Sequence, residues 1–212
     1  MKKYEYVIWD FNGTILDDVE ASMSSVNKLL VERGLSPMPD FDFYREVFDF
    51  PIKKYYAALG FDFVNEPYEV VAPLWVELYN EAVKTSTLKS GVLDMMKSLK
   101  SRGVKQYILS ATELEMLHGQ LRDLGITEYF EEVLGLDNIH AESKVALGKK
   151  LGSRIDMAKA LMIGDTVHDY ETSLAMGCDI VLVEGGHQSR RRLLECTNSV
   201  EKGFSDILEK YF

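Results

Sequence analysis

Five polar residues able to handle a phosphoryl group stand at the ends of apolar runs or at the start of a helical pattern. Asp10 closes "VIWD", Ser110 closes "YILS", Asp165 closes "LMIGD" with Asp169 four residues later, and Lys144 opens "KVALGKKL". A carboxylate that attacks a phosphate monoester must approach a second anion. A divalent cation lowers that repulsion, and Mg²⁺ prefers carboxylate and carbonyl oxygens as ligands. These residue types are therefore typical of phosphoryl transfer through a covalent aspartyl phosphate.

Each of the five residues has an expected part in that chemistry. Asp10, Asp165 and Asp169 would supply negative charge to the cation. Lys144 would neutralise phosphate oxygens, and Ser110, with neighbouring backbone N–H groups, would orient them.

The elements that must position these side chains alternate between strands and helices, which is typical of a Rossmann-like, doubly wound parallel α/β sheet. Runs rich in Val, Ile and Tyr predict strands over 4–10, 104–111, 131–136, 158–165 and 179–185. Helical periodicity ending at or just before a Gly predicts helices over 91–103, 113–125, 143–152 and 169–177. Ligands of such sheets bind beyond the carboxyl ends of the strands, where we expect the polar residues to converge.

Residues 15–88 interrupt this alternation. Val19, Met23, Val26 and Leu30 recur at helical spacing, and prolines punctuate further short helical segments. No strand pair is expected in this stretch. The sequence therefore predicts an α/β core formed by residues 1–14 and 89–212, with an all-helical cap, residues 15–88, inserted after the first strand.

Composition narrows the class of partner. The 212 residues are 46% hydrophobic and 27% charged, a composition typical of a globular protein. The formal net charge of -10 disfavours nucleic acid and anionic membranes as partners, because both are negatively charged. Two cysteines without metal-type spacing and the lack of an 18-residue apolar run favour a cytoplasmic protein. We expect a small phosphorylated metabolite as partner, no nucleic acid or membrane, and a monomer or homodimer.

Four short motifs, "DFNGT", "LSA", "SK" and "GDTVHD", occur in an order that resembles the haloacid dehalogenase-like (HAD) hydrolases. The helical insert resembles the cap of their phosphoglycolate-phosphatase-like branch. The resemblance implies that Asp10 is the nucleophile and, with Asp165, Asp169 and the backbone carbonyl of Asn12, binds Mg²⁺. It further implies that the phosphoryl group is held by the residues Ser110, Ala111, Lys144, Gly13 and Thr14.

Asn12 departs from the family pattern, which usually has Asp at this position. That Asp protonates the leaving oxygen and later deprotonates the attacking water, and such positioned acid–base groups contribute roughly 10²–10⁴-fold to rate. An amide does neither, so alkoxide leaving groups should suffer most, whereas phenolates or acyl phosphates need little protonation.

Three interpretations of Asn12 remain open. A weakened phosphatase would take its acid–base group from Asp17, Asp18, His168 or the cap. A phosphonate-type hydrolase would use a cap lysine, Lys53 or Lys54, as a Schiff base. A non-catalytic relative would bind phosphate and turn over very slowly.

Three aromatic residues of the cap, Phe48, Phe50 and Tyr55, could shape an apolar substrate pocket, although ordinary packing explains them equally well. His187 follows the fifth predicted strand at the active-site end and is a candidate for substrate contact. Lys144 is preferred as the phosphate ligand over Lys149 and Lys150, which lie further into the predicted helix.

Overall fold

The computed structural model describes residues 4–136 and 144–212, and within them a six-stranded parallel sheet forms the core. Its strands lie in the order β5–β4–β1–β6–β7–β8, which confirms the predicted doubly wound class. The strands are β1 (Tyr6–Trp9), β4 (Lys105–Glu113), β5 (Glu132–Leu136), β6 (Ala160–Gly164), β7 (Asp179–Val183) and β8 (Val200–Glu201). The core helices are α5 (Val92–Ser101), α6 (Leu114–Asp123), α7 (Lys144–Gly152), α8 (Val167–Met176), α9 (Arg190–Leu194) and α10 (Phe204–Tyr211).

Strand β1 lies at the centre of the sheet and is apolar throughout. Val7, Ile8 and Trp9 are fully buried, as expected for a strand covered on both faces. Because successive side chains point to opposite faces, Val7 and Trp9 pack in one apolar cluster and Ile8 in another. The chain therefore delivers Asp10 at the end of a rigid, doubly covered strand.

Two features of the sheet differ from the predictions. Strand β4 continues past Ser110 to Glu113, with a shift in its register against β5 between Leu109 and Glu113. A sixth strand, β8, has only two residues, too few for an apolar pattern to reveal it. Residue 143, the predicted start of a helix, lies outside the described residues.

Helices α1 (Val19–Glu32), α2 (Phe41–Val47), α3 (Ile52–Ala58) and α4 (Tyr68–Ala82) lie between the first strand and the rest of the sheet. Their inner faces form a separate apolar cluster that includes Leu30, Tyr44, Tyr56 and Val71. The expectation that this stretch contains no strand pair was wrong: β2 (Leu16–Asp17) pairs antiparallel with β3 (Thr87–Leu88). These two short strands are the two chain connections between core and cap, which we call the hinge pair. In the described part of the chain, no helix combines the length and apolar character needed to cross a membrane.

Reciprocal arginine contacts join the cap to the core. Arg45 of the cap donates from Nε to the Gly186 carbonyl of the core at 3.0 Å. Arg192 of the core donates to the Phe48 carbonyl of the cap and pairs with Asp49 at 3.1 Å. We call Arg45 and Arg192 the bridging arginines.

Candidate active site

Three buried carboxylates converge beyond the carboxyl ends of β1 and β6. Each of Asp10, Asp165 and Asp169 offers one oxygen, and these oxygens lie within 4.8 Å of one another. Asp10 is 8% exposed and the other two 1% or less. The structure thus brings together the three side chains that the sequence singled out as metal ligands.

The start of α8 fixes Asp169. Thr166 is the N-cap residue, and Asp169 accepts from its backbone N–H at 3.0 Å and from its hydroxyl at 2.7 Å, forming a capping box. Both of these bonds go to Oδ2 of Asp169, which also accepts from the backbone N–H of Asp165 at 3.2 Å. Oδ1 of Asp169 is left to face the centre of the site, where it accepts from Lys144 at 2.6 Å.

Gly13 allows the loop after β1 to pass directly over Asp165. Its φ is +71°, and a Cβ built on it would lie 2.4 Å from Asp165 Oδ2 and 2.5 Å from the His187 ring. Thr14 then donates from its hydroxyl to Asp165 Oδ1 at 2.8 Å. A side chain at position 13 would therefore displace a carboxylate of the cluster.

Lys144, at the first residue of α7, reaches the cluster and is only 4% exposed. Its Nζ donates to Asp10 Oδ1 and to Asp169 Oδ1. Burial alone would lower the pKa of Lys144, but the Asp10 and Asp169 carboxylates outweigh it and raise that pKa above its usual value. The lysine is therefore a permanent cation, as a phosphate ligand must be.

The residues of the cluster fit a divalent cation. Burial, together with repulsion from Asp169 and Asp165, raises the pKa of Asp10, and Lys144 opposes the rise only in part. Three buried carboxylates facing one cationic side chain leave an excess of negative charge. Hard oxygen donors in this arrangement are those that Mg²⁺ selects.

The last residues of β4 place Ser110 beside Ala111 and Thr112 in the wall of a cavity between the core and the cap. Ser110 Oγ accepts from the backbone N–H of Thr112 at 3.0 Å. Ala111 is exposed at the cavity surface, while Ser110 is buried. The residues predicted to hold the phosphoryl group thus lie at the end of β4, on the loop that follows β1 or at the start of α7.

Both ends of the Asn12 amide are hydrogen bonded. Nδ2 donates to Asp18 Oδ2 at 2.9 Å and to the Tyr79 hydroxyl at 2.7 Å. Oδ1 accepts from the Thr112 hydroxyl at 2.6 Å. The position therefore requires a donor toward Asp18 and an acceptor toward Thr112, which an amide provides and a carboxylate does not.

Asp18 carries the carboxylate that position 12 lacks. It accepts from the Gly13 N–H at 2.7 Å and the Tyr79 hydroxyl at 2.6 Å, and it pairs with His187 Nε2 at 3.2 Å. Burial opposes ionisation, but the charge of His187 and the bonds from Tyr79 and Asn12 hold the pKa of Asp18 below its usual range.

His187 connects this network to the cap and to the carboxylate cluster. Its ring Nδ1 lies 2.6 Å from the Tyr44 hydroxyl of α2, and its backbone N–H donates to Asp165 Oδ2 at 2.6 Å. Sequence reasoning proposed His187 as a substrate contact, and the structure places it in the cavity wall. Tyr79, Tyr44 and Thr112 were missed, since isolated hydroxyl residues give no sequence signal of a shared network.

A cavity of about 570 Å³ lies between the core loops and the cap. Asp10, Asn12, Ser110 and Lys144 line its polar end. The cap contributes mainly apolar and aromatic residues, namely Val26, Phe48, Phe50, Ile52, Tyr55 and Trp75. Phe50 stacks on His168 with ring centroids 4.7 Å apart, so a cap aromatic contacts the first turn of α8, which also carries Asp169.

The two lysines considered for a Schiff base are outside this cavity. Lys53 and Lys54 are exposed, and neither is among the residues that line it. Lys53 Nζ lies over the rings of Phe63 and Tyr68, 5.7 and 5.8 Å from their centroids. The structure therefore does not bring a cap lysine to Asp10.

A family model described as haloacid dehalogenase-like hydrolase matches residues 7–183, which extend from β1 to β7 and include the cap. The chain belongs to this family of hydrolases, as the motif order indicated.

Characterised relatives span two activities. A phosphoglycolate phosphatase of Nitrosococcus oceani is 25% identical over 197 residues, covering 88% of this chain and 87% of that protein. The tyrosine-protein kinase PtkA of Mycobacterium tuberculosis is 24% identical over 186 residues. That match takes in 86% of this chain but only 63% of the kinase, so the chain spans less than two thirds of that relative.

Solved structures share the complete architecture. A haloacid dehalogenase-like hydrolase from Streptococcus pneumoniae superposes with a TM-score of 0.83 at 18% identity, covering 99% of both chains. The Mycobacterium tuberculosis PtkA structure superposes with a TM-score of 0.78 at 22% identity, covering 99% of this chain and 98% of that one. At these identities the likeness establishes the fold.

Proposed function

We propose that this protein is a Mg²⁺-dependent phosphatase that acts on a small phosphorylated metabolite through an aspartyl phosphate at Asp10. The observation that carries the proposal is the buried cluster of Asp10, Asp165 and Asp169 beside Lys144, at the polar end of the cavity between core and cap. Membership of the haloacid dehalogenase-like hydrolases supports it. A monomer or homodimer without nucleic-acid or membrane partners remains our expectation.

The first step is the attack of Asp10 on the phosphate ester. An Asp10 carboxylate oxygen forms a bond to phosphorus while the ester P–O bond breaks and its electron pair stays on the leaving oxygen. Lys144, Ser110 and the backbone N–H groups that follow Ser110 hold the phosphate oxygens as charge shifts among them. Bound by Asp10, Asp165, Asp169 and the Asn12 carbonyl, Mg²⁺ would offset the repulsion between carboxylate and phosphate.

The second step regenerates the enzyme. Water attacks phosphorus, the bond to Asp10 breaks, and phosphate is released with the Asp10 carboxylate restored. Asn12 cannot accept the proton of that water, because its oxygen is an amide oxygen that already accepts from Thr112. Both proton transfers are therefore weakened, and a slow phosphatase or a phosphate-binding relative is the competing outcome.

Hydrolysis of p-nitrophenyl phosphate separates these two outcomes. We expect turnover by the wild-type protein that requires Mg²⁺, stops with a chelator and disappears in Asp10→Asn. Asp94→Asn removes the same charge from an exposed position on α5 and should leave turnover unchanged. Equal rates for wild type and Asp10→Asn would instead favour the phosphate-binding relative.

A further inference from the structure

The wall that the cap contributes to the cavity has the wrong chemistry for an anionic leaving group. No Lys or Arg of the described cap residues lines it. Three cap cations lie away from it: Arg45 bonds to the Gly186 carbonyl, and Lys53 and Lys54 lie exposed on α3. A carboxylate or a second phosphate on the substrate would therefore be buried without a lysine or arginine of the cap to pair with it, which is costly.

The charged side chains that do line the cavity reinforce this conclusion. Asp18 and Glu113 are carboxylates, and either would repel an anionic substituent. Lys144 is the only Lys or Arg among the described lining residues, and it already faces Asp10 and Asp169 at the phosphoryl end. His187 also lines the cavity, but its Nε2 already pairs with Asp18 at 3.2 Å.

Aromatic rings surround the part of the cavity that a leaving group would occupy. Phe48 packs edge-on against Phe50 with centroids 5.5 Å apart, and Trp75 stacks on Tyr79 at 4.7 Å. Rings in such walls pair favourably with another ring. A volume of about 570 Å³ accommodates a leaving group far larger than a two-carbon acid.

The chemistry at position 12 independently favours an aromatic leaving group. A phenolate leaves without help because it is a weak base, whereas an alkoxide must be protonated as the P–O bond breaks. Asn12 has no proton to give, and its amide is held in place by Asp18, Tyr79 and Thr112. The apolar cavity wall and the absence of an acid at position 12 thus both favour an ester whose leaving group is an uncharged phenol.

We infer that the substrate is an aryl phosphate, a phosphate monoester of an uncharged phenol, whose ring lies among Phe48, Phe50, Trp75 and Tyr79. This inference rests on the proposed phosphatase activity. In the reaction Asp10 takes the phosphoryl group and the phenol oxygen keeps the electron pair of the broken bond. Solvent then protonates the phenolate, and water releases phosphate from Asp10.

Three esters test the inference at saturating Mg²⁺: phenyl phosphate, cyclohexyl phosphate and phosphoglycolate. We expect kcat/KM for phenyl phosphate to exceed that for phosphoglycolate by at least roughly 100-fold, because phosphoglycolate buries an unpaired carboxylate and also leaves as an alkoxide that needs a proton. Cyclohexyl phosphate has an alkoxide leaving group too, so its preference over phosphoglycolate isolates the cost of the buried carboxylate. Cyclohexyl phosphate should have a KM within about 10-fold of that of phenyl phosphate but a kcat roughly 10²–10⁴-fold lower, because its alkoxide needs a proton.

A charge placed in the wall supplies a second test. Val76→Arg puts a cation on the cavity side of α4 and should shift the kcat/KM ratio toward phosphoglycolate by roughly 10-fold or more. Val70→Arg places the same cation on the exposed side of the same helix and should leave the ratio unchanged.

The possible results separate this inference from the proposed function. Efficient turnover of phosphoglycolate in preference to phenyl phosphate would overturn the inference and keep the phosphatase. Absence of turnover of all three esters would overturn the phosphatase. In that case, calorimetric binding of benzylphosphonate more tightly than phosphonopropionate would still support the pocket chemistry, and the reverse order would contradict it.

Discussion

Exchanging the side chains of Asn12 and Asp18 should increase the activity of the protein on alkyl phosphates. The double variant Asn12→Asp/Asp18→Asn puts a carboxylate at position 12 and keeps a donor opposite it, since the two side chains already meet at 2.9 Å. Asp at position 12 would then protonate the leaving oxygen. The expected gain in kcat for cyclohexyl phosphate is roughly 100-fold, the low end of the range for positioned acids.

The single variant Asn12→Asp should gain less. Two carboxylate oxygens at 2.9 Å would repel each other by about 6 kcal/mol at an effective dielectric constant of 20. The loop would have to move, or the two carboxyl groups would have to share a proton, so we also expect a lower melting temperature than for the double variant. Asp18→Asn alone removes the charge without creating an acid and should give no gain.

The assay is steady-state hydrolysis of cyclohexyl and phenyl phosphate by all four proteins. Mass spectrometry of the peptide containing Asn12 and Gly13 must show an intact amide in the wild type, since deamidation of this pair would imitate the variant. If the double variant keeps its activity on phenyl phosphate but gains nothing on cyclohexyl phosphate, the explanation of Asn12 as a missing acid is wrong.

Three further predictions concern the metal, the loop and the cap. At about 100 times its Kd, Mg²⁺ should stabilise the wild-type protein by about 2.7 kcal/mol, which corresponds to a rise in melting temperature of roughly 5–10 °C. Asp165→Asn should abolish this rise, and an equal rise in the variant would refute the metal site. Gly13→Ala should lower the melting temperature more than Gly34→Ala. Both glycines have φ near +70°, but only a Cβ at position 13 would contact other atoms. Equal losses in melting temperature would contradict this steric argument. Arg192→Met should raise KM roughly 2- to 10-fold by removing contacts with three cap residues, Glu46, Phe48 and Asp49. Arg190→Met, whose ion pair with Glu184 lies within the core, should not change KM. Equal KM values for the two variants would show that the Arg192 contacts do not hold the cap in place.

The fold and the positions of Asp10, Lys144, Asp165 and Asp169 could be predicted because strong local patterns mark them. Asp10 and Asp165 follow continuous apolar runs, and Lys144 opens a helix. Asp169 lies four residues after Asp165, in the first turn of the next helix. Parallel strands bring such ends to one edge of the sheet. Two-residue strands such as those of the hinge pair escape this reasoning, since the antiparallel pairing of Leu16–Asp17 with Thr87–Leu88 joins segments about 70 residues apart.

The network around Asn12 could not be predicted for a different reason. Its partners Tyr79 and Thr112 come from α4 and β4, and their hydroxyl groups carry no pattern that separates them from ordinary surface residues. The cap brings Tyr79 to the site only after folding. Asp18 was noted as a possible acid–base group, but its pairing with His187 depends on a loop that follows the fifth predicted strand.

The hinge pair has a consequence for how the protein responds to its ligands. The segment that begins with Asp10 ends in β2, and the Gly13 N–H bonds both to the Leu16 carbonyl within it and to Asp18 just beyond. A rotation of the cap about this pair would therefore shift the loop that carries Asn12. A ligand that bound one cap position more tightly than another would, for that reason, also change the geometry of this loop.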